Sequence, residues 1–270
     1  MQSILFWSAT TLYALATVAW FAWASFRREW GATLGRALLG LALLPHAGSL
    51  ALRWNEVGHG PYNTRYEVIS ADTILLVAVW LVAAALARGL RGLGVLVAPA
   101  ALLLMGWAVS TFELRREVPI IFKSWWLVLH IGFAKLFFAT ILLAGFCAGA
   151  LLVKARRPTA LARLPSAERL DLSSHQLTLV SFLFLGVMIA AGSLWAQQSW
   201  GRYWGWDPME TSALVTWIVL AIVLHFRVLH RWSGRRMAWL TLTALGFAFV
   251  TLFVVAIMVP TIHNSYMVGK

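Results

Sequence analysis

The chain has 270 residues, of which 61% are hydrophobic and only 12% are charged. This balance is far from that of soluble domains, so it excludes an ordinary soluble protein and indicates an integral membrane protein. The formal net charge of +12 does not require a nucleic-acid partner, because basic residues in cytoplasmic loops face anionic lipid.

Eight stretches of the chain are apolar and long enough to cross a bilayer as helices, which takes about 20 residues each. They lack the alternating polarity that a membrane β-barrel requires. We therefore predict an all-α polytopic bundle that forms a single membrane domain over residues 1–270. In chain order the eight predicted spans are 3–26, 36–52, 72–87, 93–110, 125–153, 176–197, 210–226 and 238–261.

Positive charge in the loops predicts the orientation of the bundle. One set of alternate loops carries 14 Lys and Arg residues, whereas the other set and the C-terminal tail carry 7. The richer set is expected to be cytoplasmic, so both termini and the loop around residue 205 are predicted to lie outside, on the periplasmic side. Arg27 and Arg28 follow the first apolar stretch, which indicates a span rather than a cleaved signal.

The only long polar cytoplasmic loop, residues 154–175, carries two prolines and is typical of a linker. It predicts an N-terminal helical half, 1–153, and a C-terminal half, 176–270. The single cysteine, Cys147, lies in the fifth apolar stretch. An intramolecular disulfide is therefore impossible, and a buried, inert thiol is expected.

Residues 200–211 read WGRYWGWDPMET and bring three tryptophans into seven positions. Trp is also enriched at membrane interfaces as an anchor, but here glycines between the indoles let the backbone approach a ligand. Helical spacing would place Trp200 and Trp204 on one face, close to Trp206. Such a cluster is typical of a surface that holds a planar group.

Two acids follow the tryptophans. Asp207 and Pro208 read as the N-cap and first residue of the next helix, and Glu210 stands where it would complete a capping box. Ligand contact is the alternative role for both carboxylates. The sequence favours neither role, and the two are compatible.

Two histidines are predicted to share the outer layer with this loop. His130 lies about 7 Å below the outer end of its span, and His263 follows the last span. A pair of neutral imidazoles on opposite sides of a planar ligand is what a six-coordinate haem iron needs. An interhelical hydrogen bond is the alternative for each histidine.

The remaining polar groups within or beside the spans are few. His225 is predicted about 20 Å deeper than the Trp-rich loop, either as a snorkelling interface residue or as part of a second site. His46 is ambiguous in the same way, and Lys135 is expected to reach a polar interior or a partner helix. Three other histidines are interpreted as solvated loop residues: His59, His175 and His230.

The segment WAQQSWGRYWGWDPMETSALVTWIVLAIVLHFR closely resembles the tryptophan-rich WWD signature of the haem-handling membrane proteins of cytochrome c assembly. Its DP-x-E-T form is similar to the CcsA/ResC branch of system II. Upstream, GLALLPHAGSLALRWNEVGHGPYNTRYEV is similar to the early pattern of the same family. The chain departs from that family at Met209, where Lys is common, and at Ser212, where Trp is common.

The resemblance implies eight spans and a haem b held at the outer face against a WWD segment at about 195–211. His130 and His263 would be its axial iron ligands, and His225 would belong to an inner haem site. The resemblance further implies a platform lined or shaped by Trp200, Trp204, Trp206 and Asp207.

The resemblance also implies partners and a reaction. A CcsB/ResB-type membrane subunit would be a separate chain, and apocytochrome c would supply the two thiols of a CxxCH segment for stereospecific addition to the haem vinyl groups. This chain would orient and ligate haem within a holocytochrome c synthase, in a bacterial cytoplasmic (inner) membrane. Two alternatives stay open: a HemX-like membrane regulator of haem biosynthesis, and a haem exporter without attachment activity.

Overall fold

A computed structural model describes residues 1–112, 123–157, 159 and 161–262. Within these residues eight helices are long and apolar enough to cross a membrane, and all regular structure is helical. The prediction of an all-α polytopic bundle is thus confirmed. The long helices are α1 (Gln2–Phe26), α2 (Glu29–Val57), α3 (Arg65–Leu86), α4 (Gly94–Ser110), α5 (Trp125–Arg156), α6 (Ala167–Trp200), α7 (Pro208–Leu229) and α8 (Arg235–Phe249).

Several helices begin earlier than their apolar stretches. The α3 helix starts at Arg65 because Thr64 caps it: the Thr64 hydroxyl accepts from the backbone N–H of Glu67, and the Glu67 carboxylate accepts from that of Thr64, both at 3.2 Å. The α6 helix starts at Ala167, where the Ser166 side chain accepts from Arg169 N. Polar capping turns extend these helices beyond the part that lipid requires to be apolar.

The described residues form two compact units. The first comprises Met1–Val118 and Leu161–Pro165, and contains α1 to α4 with a 3₁₀ turn at Arg88–Leu93. The second comprises Pro119–Ala160 and Ser166–Lys270, and contains α5 to α8. Helices α1 to α4 thus fall in the first unit and α5 to α8 in the second. Helix α5 belongs with the later helices because it packs along α6 and α8.

The core of the first unit is built around Trp20. Its indole makes edge contacts with Trp23 and Trp80, at centroid distances of 5.3 and 6.0 Å. Glycine is required opposite it, because a Cβ at Gly35 would lie only 2.6 Å from Trp20 Cδ1. Small residues thereby let α1 and α2 approach closely, as is usual in membrane helix packing.

The second unit positions the candidate site. Between α6 and α7, Phe182 stacks on Trp217 at 4.8 Å, and the Trp217 indole donates to Phe182 O. After α8 the chain continues as a π-helical segment, Val250–Val255, and a last α-helical turn, Ala256–Met258. An insertion of π-helix is rare and is often found at functional sites.

Candidate functional site

The imidazole of His130 is oriented by a hydrogen bond to the neighbouring helix. His130 lies near the start of α5, and its Nδ1 is 2.9 Å from the backbone carbonyl oxygen of Met188 on α6. A carbonyl only accepts, so Nδ1 donates a proton to it, and in the neutral ring Nε2 is then the nitrogen with the lone pair. A histidine that binds a metal through one nitrogen usually donates the other N–H in this way.

Two further residues of α6 complete the contact with this ring. A Cβ at Gly192 would lie 2.6 Å from His130 Nδ1, so only glycine leaves room for the imidazole there. Trp195 stacks on the ring with a centroid distance of 6.3 Å and an interplanar angle of 24°. Positions 188, 192 and 195 follow the i, i+4, i+7 spacing of one helix face. This face of α6 therefore holds the orientation of His130.

The aromatic surface extends from Trp195 to the end of α6. Trp195 is 3% exposed and meets Trp200 edge-on at 5.0 Å. Trp195 begins the WWD segment that the resemblance implies, but its contact with His130 was not predicted, and Gly192 was not singled out. Residues 188, 192 and 195 have the spacing of one helix face. That spacing indicates a contact with His130 only once α5 is known to pack against this face of α6.

The Trp-rich loop is not helical between its first two tryptophans. Helix α6 ends at Trp200, and Gly201 adopts the left-handed conformation, with φ +76°, that terminates it. The expectation that Trp200 and Trp204 share a helix face is therefore wrong. Trp204 and Trp206 instead meet edge-on at 5.8 Å, with planes 89° apart.

Glu210 shapes the tip of this loop. One of its oxygens, Oε2, accepts from the backbone N–H of Gly205 at 2.8 Å and from that of Asp207 at 3.2 Å. The intervening Trp206 has φ +57° and is 70% exposed. A non-glycine residue at positive φ is uncommon and is strained. The carboxylate thus stabilises a conformation that presents the Trp206 indole outward.

Asp207 has two hydrogen-bonded roles. Its Oδ1 accepts from Met209 N at 2.9 Å, which confirms the predicted N-cap and capping box of α7. Its Oδ2 accepts from the backbone N–H of Ile262 at 2.8 Å. Asp207 is 6% exposed. The long-range second bond was not predicted, because nothing local in the sequence indicates it.

The other predicted site residues are distributed as follows. His225 lies on α7 and is exposed, whereas its neighbour Val223 faces the packed interior. His263 lies outside the described residues, and Ile262 is the described residue next to it in the sequence. Lys135 is buried at 7% exposure.

For three further histidines the structure gives the burial or the location. His46 is fully buried, with Nδ1 3.0 Å from the Tyr13 hydroxyl and Nε2 2.9 Å from the Ser70 hydroxyl, so both its nitrogens are engaged. His59 is not solvated but 7% exposed, with Nδ1 donating to Gly60 O. His175 is not in a loop: α6 begins earlier than predicted and includes it, beside a small cavity.

The fold and site define a class of protein: a multi-span helical membrane protein in which a membrane histidine is oriented beside a tryptophan-rich turn. The family model described as "Cytochrome C assembly protein" matches residues 63–263. The chain belongs to this family.

Relatives of known type agree with that assignment. The chain is 30% identical over 275 residues to the cytochrome c biogenesis protein CcsA of Thermosynechococcus vestitus, covering 85% of this chain and 86% of that protein. It is also 30% identical to the CcsA of Gloeobacter violaceus, covering 90% of this chain and 86% of that one.

A solved structure shares the fold. It is the cytochrome c haem lyase CcmF, with a TM-score of 0.72 and 17% identity, covering 94% of this chain. This chain spans about half of that protein's length, 46%. At this identity the likeness concerns the fold.

Proposed function

We propose that this chain is the CcsA-type, haem-binding membrane component of a cytochrome c synthetase. It would bind haem b at the outer face of the membrane and present it for covalent attachment to the CxxCH segment of apocytochrome c. The observation that carries the proposal is the orientation of His130, whose Nδ1–H is donated to Met188 O while its ring stacks on Trp195.

The chemistry of this histidine fits an axial haem ligand. In the neutral imidazole with its proton on Nδ1, the Nε2 lone pair is the one suited to iron. The Met188 carbonyl and the close approach of Gly192 restrict the orientation of the His130 ring. A ligand that is already oriented binds iron at a lower entropic cost. The stack on Trp195 supports the same orientation from a third side.

The aromatic surface fits the ring of a porphyrin. Trp195 packs edge-on against Trp200, and the Trp206 indole is exposed at the adjoining turn. A broad planar ligand needs extended apolar and aromatic contact, with few polar groups to orient it. We assign Trp200, Trp204 and Trp206 to this platform, with Asp207 shaping it.

The second axial ligand is assigned to His263, on the family resemblance and on its place next to Ile262 in the sequence. The inner site is assigned to His225. An exposed imidazole on a membrane-spanning helix is costly in lipid, so it favours a protein or ligand partner. A CcsB/ResB-type subunit is the partner we propose for that face.

This chain's contribution to the reaction is binding and orientation. When bound, haem supplies two vinyl groups, and each substrate thiol adds across one of them, forming a C–S bond while a proton goes to the other vinyl carbon. The nucleophiles come from the substrate, since the only cysteine in the chain, Cys147, is completely buried. His130 and the tryptophans of this site would hold the iron and the ring in one orientation, which would make the addition stereospecific.

The charge distribution supports an orientation with the WWD segment outside. The loops richer in Lys and Arg would face the cytoplasm, so His130 and the Trp-rich loop would lie on the periplasmic side of the cytoplasmic membrane. Haem would then meet apocytochrome c on the periplasmic side.

Attachment is tested by reconstitution with a reporter. The chain is expressed with a CcsB/ResB-type subunit and a CxxCH apocytochrome in bacteria that lack their own synthetase, and covalent haem is detected on the denatured reporter. We expect covalent haem with the native chain and its loss with His130→Ala. Glu56→Ala, at an exposed position of the first unit, is the control and should retain attachment. Haem that reaches the outer side without joining the reporter would favour an exporter and contradict the proposal.

A further inference from the structure

Two exposed cations, Lys123 and Arg202, lie at the ends of the helices that carry the candidate site. Lys123 stands just before α5, and Arg202 stands just after α6. Neither forms an ion pair with any residue that the structure describes. Their charges are therefore available to an anion from outside the chain.

The Arg202 side chain folds back over the Trp-rich loop. A Cβ at Gly205 would lie 2.8 Å from Arg202 Cζ, so the guanidinium packs against the backbone of Gly205. The residue after Gly205 is Trp206, whose indole is 70% exposed. The guanidinium therefore lies one residue away from an exposed indole of the aromatic surface.

The two acids of this loop are engaged with backbone donors. Oε2 of Glu210 accepts from the backbone N–H groups of Gly205 and Asp207. Each oxygen of Asp207 in turn accepts from one backbone N–H. In the described part of the chain the Arg202 guanidinium donates to neither acid, so its fork of N–H groups can bind another carboxylate.

A hydrogen bond brings Lys123 to the same end of α6. The hydroxyl of Ser124 donates to Gln198 Oε1 at 2.7 Å, although 74 positions separate the two residues. Lys123 precedes Ser124, and Arg202 follows Gln198 by four residues. On α5, His130 lies six residues beyond Ser124, about 9 Å along the helix axis. The cations thus stand to one side of the histidine, at the helix ends.

We propose that Arg202 and Lys123 bind the propionate carboxylates of the porphyrin. This inference rests on the proposed function, in which His130 ligates the haem iron. A guanidinium binds a carboxylate through two parallel hydrogen bonds, and an ammonium binds it as a compact charge. The propionates leave the porphyrin at one edge, so cations that bind them must lie to the side of the iron ligand.

The contact would determine how the porphyrin is turned about its iron. An axial histidine and a flat apolar surface hold the ring plane, but both leave the ring free to rotate within that plane. Two charged contacts at one edge remove this rotation and direct the vinyl groups, which lie toward the opposite edge. A single orientation of the vinyl groups is what stereospecific addition requires.

Haem dimethyl ester isolates the contribution of the propionates, because it keeps the iron, the ring and the vinyl groups but has no carboxylate charge. The chain and its partner subunit are purified without haem, in a neutral detergent, and titrated with ferric haem or with the ester. The visible spectrum gives the Kd of each porphyrin. For the native chain we expect haem to bind more tightly than the ester, with a difference that shrinks as salt is added.

Arg202→Gln removes the charge and keeps a polar side chain. We expect the Kd for haem to rise about 5-fold, as for an exposed ion pair of good geometry, and the Kd for the ester to stay unchanged. Arg202→Lys should weaken haem binding less, because it keeps the charge and loses the fork. With Lys123→Gln added to Arg202→Gln, haem should bind no more tightly than its ester. Arg169→Gln, exposed at the opposite end of α6, is the matched control and should change neither Kd.

The outcomes separate this inference from the function on which it rests. If the native chain binds haem and the ester equally tightly, the propionate contact is overturned and haem ligation by His130 stands. Equal weakening of both porphyrins by Arg202→Gln would also overturn the contact, because the residue would then act on the loop itself. An unchanged preference for haem in Arg202→Gln would do the same and leave a lipid headgroup as the partner of this cation. If the native chain binds neither porphyrin, the proposed function fails, and this inference fails with it.

Discussion

At the scale of single residues, the candidate site depends on close approach as much as on ligand chemistry. His130 receives its orientation from a carbonyl, a glycine and an indole on one face of α6. Gly192 contributes by its lack of a side chain, a role that amino-acid composition does not reveal. A substitution at Gly192 should therefore displace His130 without removing its imidazole.

Gly192→Ala should displace the imidazole of His130. The added methyl would lie 2.6 Å from Nδ1, so the ring must move and its bond to Met188 O must lengthen. We expect haem retention to fall roughly 10- to 100-fold, as when the support of a metal ligand is lost, measured by haem titration of the purified complex. Gly149→Ala on α5 is the control, since a Cβ there meets nothing within 4 Å. Equal haem retention in both variants would show that Gly192 does not determine the orientation of His130.

At the scale of helices, the polar turns that start α3 and α7 carry buried acids. Glu67 is completely buried and accepts from the Arg53 guanidinium at 3.0 Å and from the backbone N–H groups of Asn63 and Thr64. Breaking a buried ion pair leaves an uncompensated charge. The cap of α3 is therefore expected to matter for stability, whereas the cap of α7 belongs to the site.

Glu67→Ala should lower the free energy of unfolding by about 3–5 kcal/mol, because Arg53 would stay buried without this carboxylate. The measurement is reversible denaturation of the purified chain in detergent micelles. Glu56→Ala, an exposed position on α2, should leave the stability nearly unchanged. A similar small effect of both substitutions would show that the Arg53–Glu67 pair does not stabilise the first unit.

At the scale of the whole molecule, the bilayer made the fold predictable. Lipid requires each span to be apolar over about 20 residues, so the number and order of the helices follow from hydropathy. The helix ends do not, because residues such as Thr64 and Ser166 extend helices with polar turns. The packing of α5 against α6 does not follow from hydropathy either, because the composition of the loop at 154–175 does not depend on it.

The candidate site was predictable only where its signals are local. The capping box of Asp207 and Glu210 could be predicted because both ends lie within four residues. Contacts between distant segments could not: Gly192 and Trp195 against His130, and Asp207 with Ile262, each join residues far apart in sequence. The burial of His59 was not predicted either, because a loop of polar composition is expected to be solvated, whereas His59 is buried.

The visible spectrum of the purified chain and its partner subunit tests the central claim most directly. We compare the native protein with His130→Ala and with the exposed Glu56→Ala variant. The account predicts sharp reduced bands of six-coordinate b-type haem in the native protein and in Glu56→Ala, lost in His130→Ala and restored by imidazole. Folded, membrane-inserted protein that is equally haem-free in all three forms, or a spectrum unchanged by His130→Ala, would contradict it.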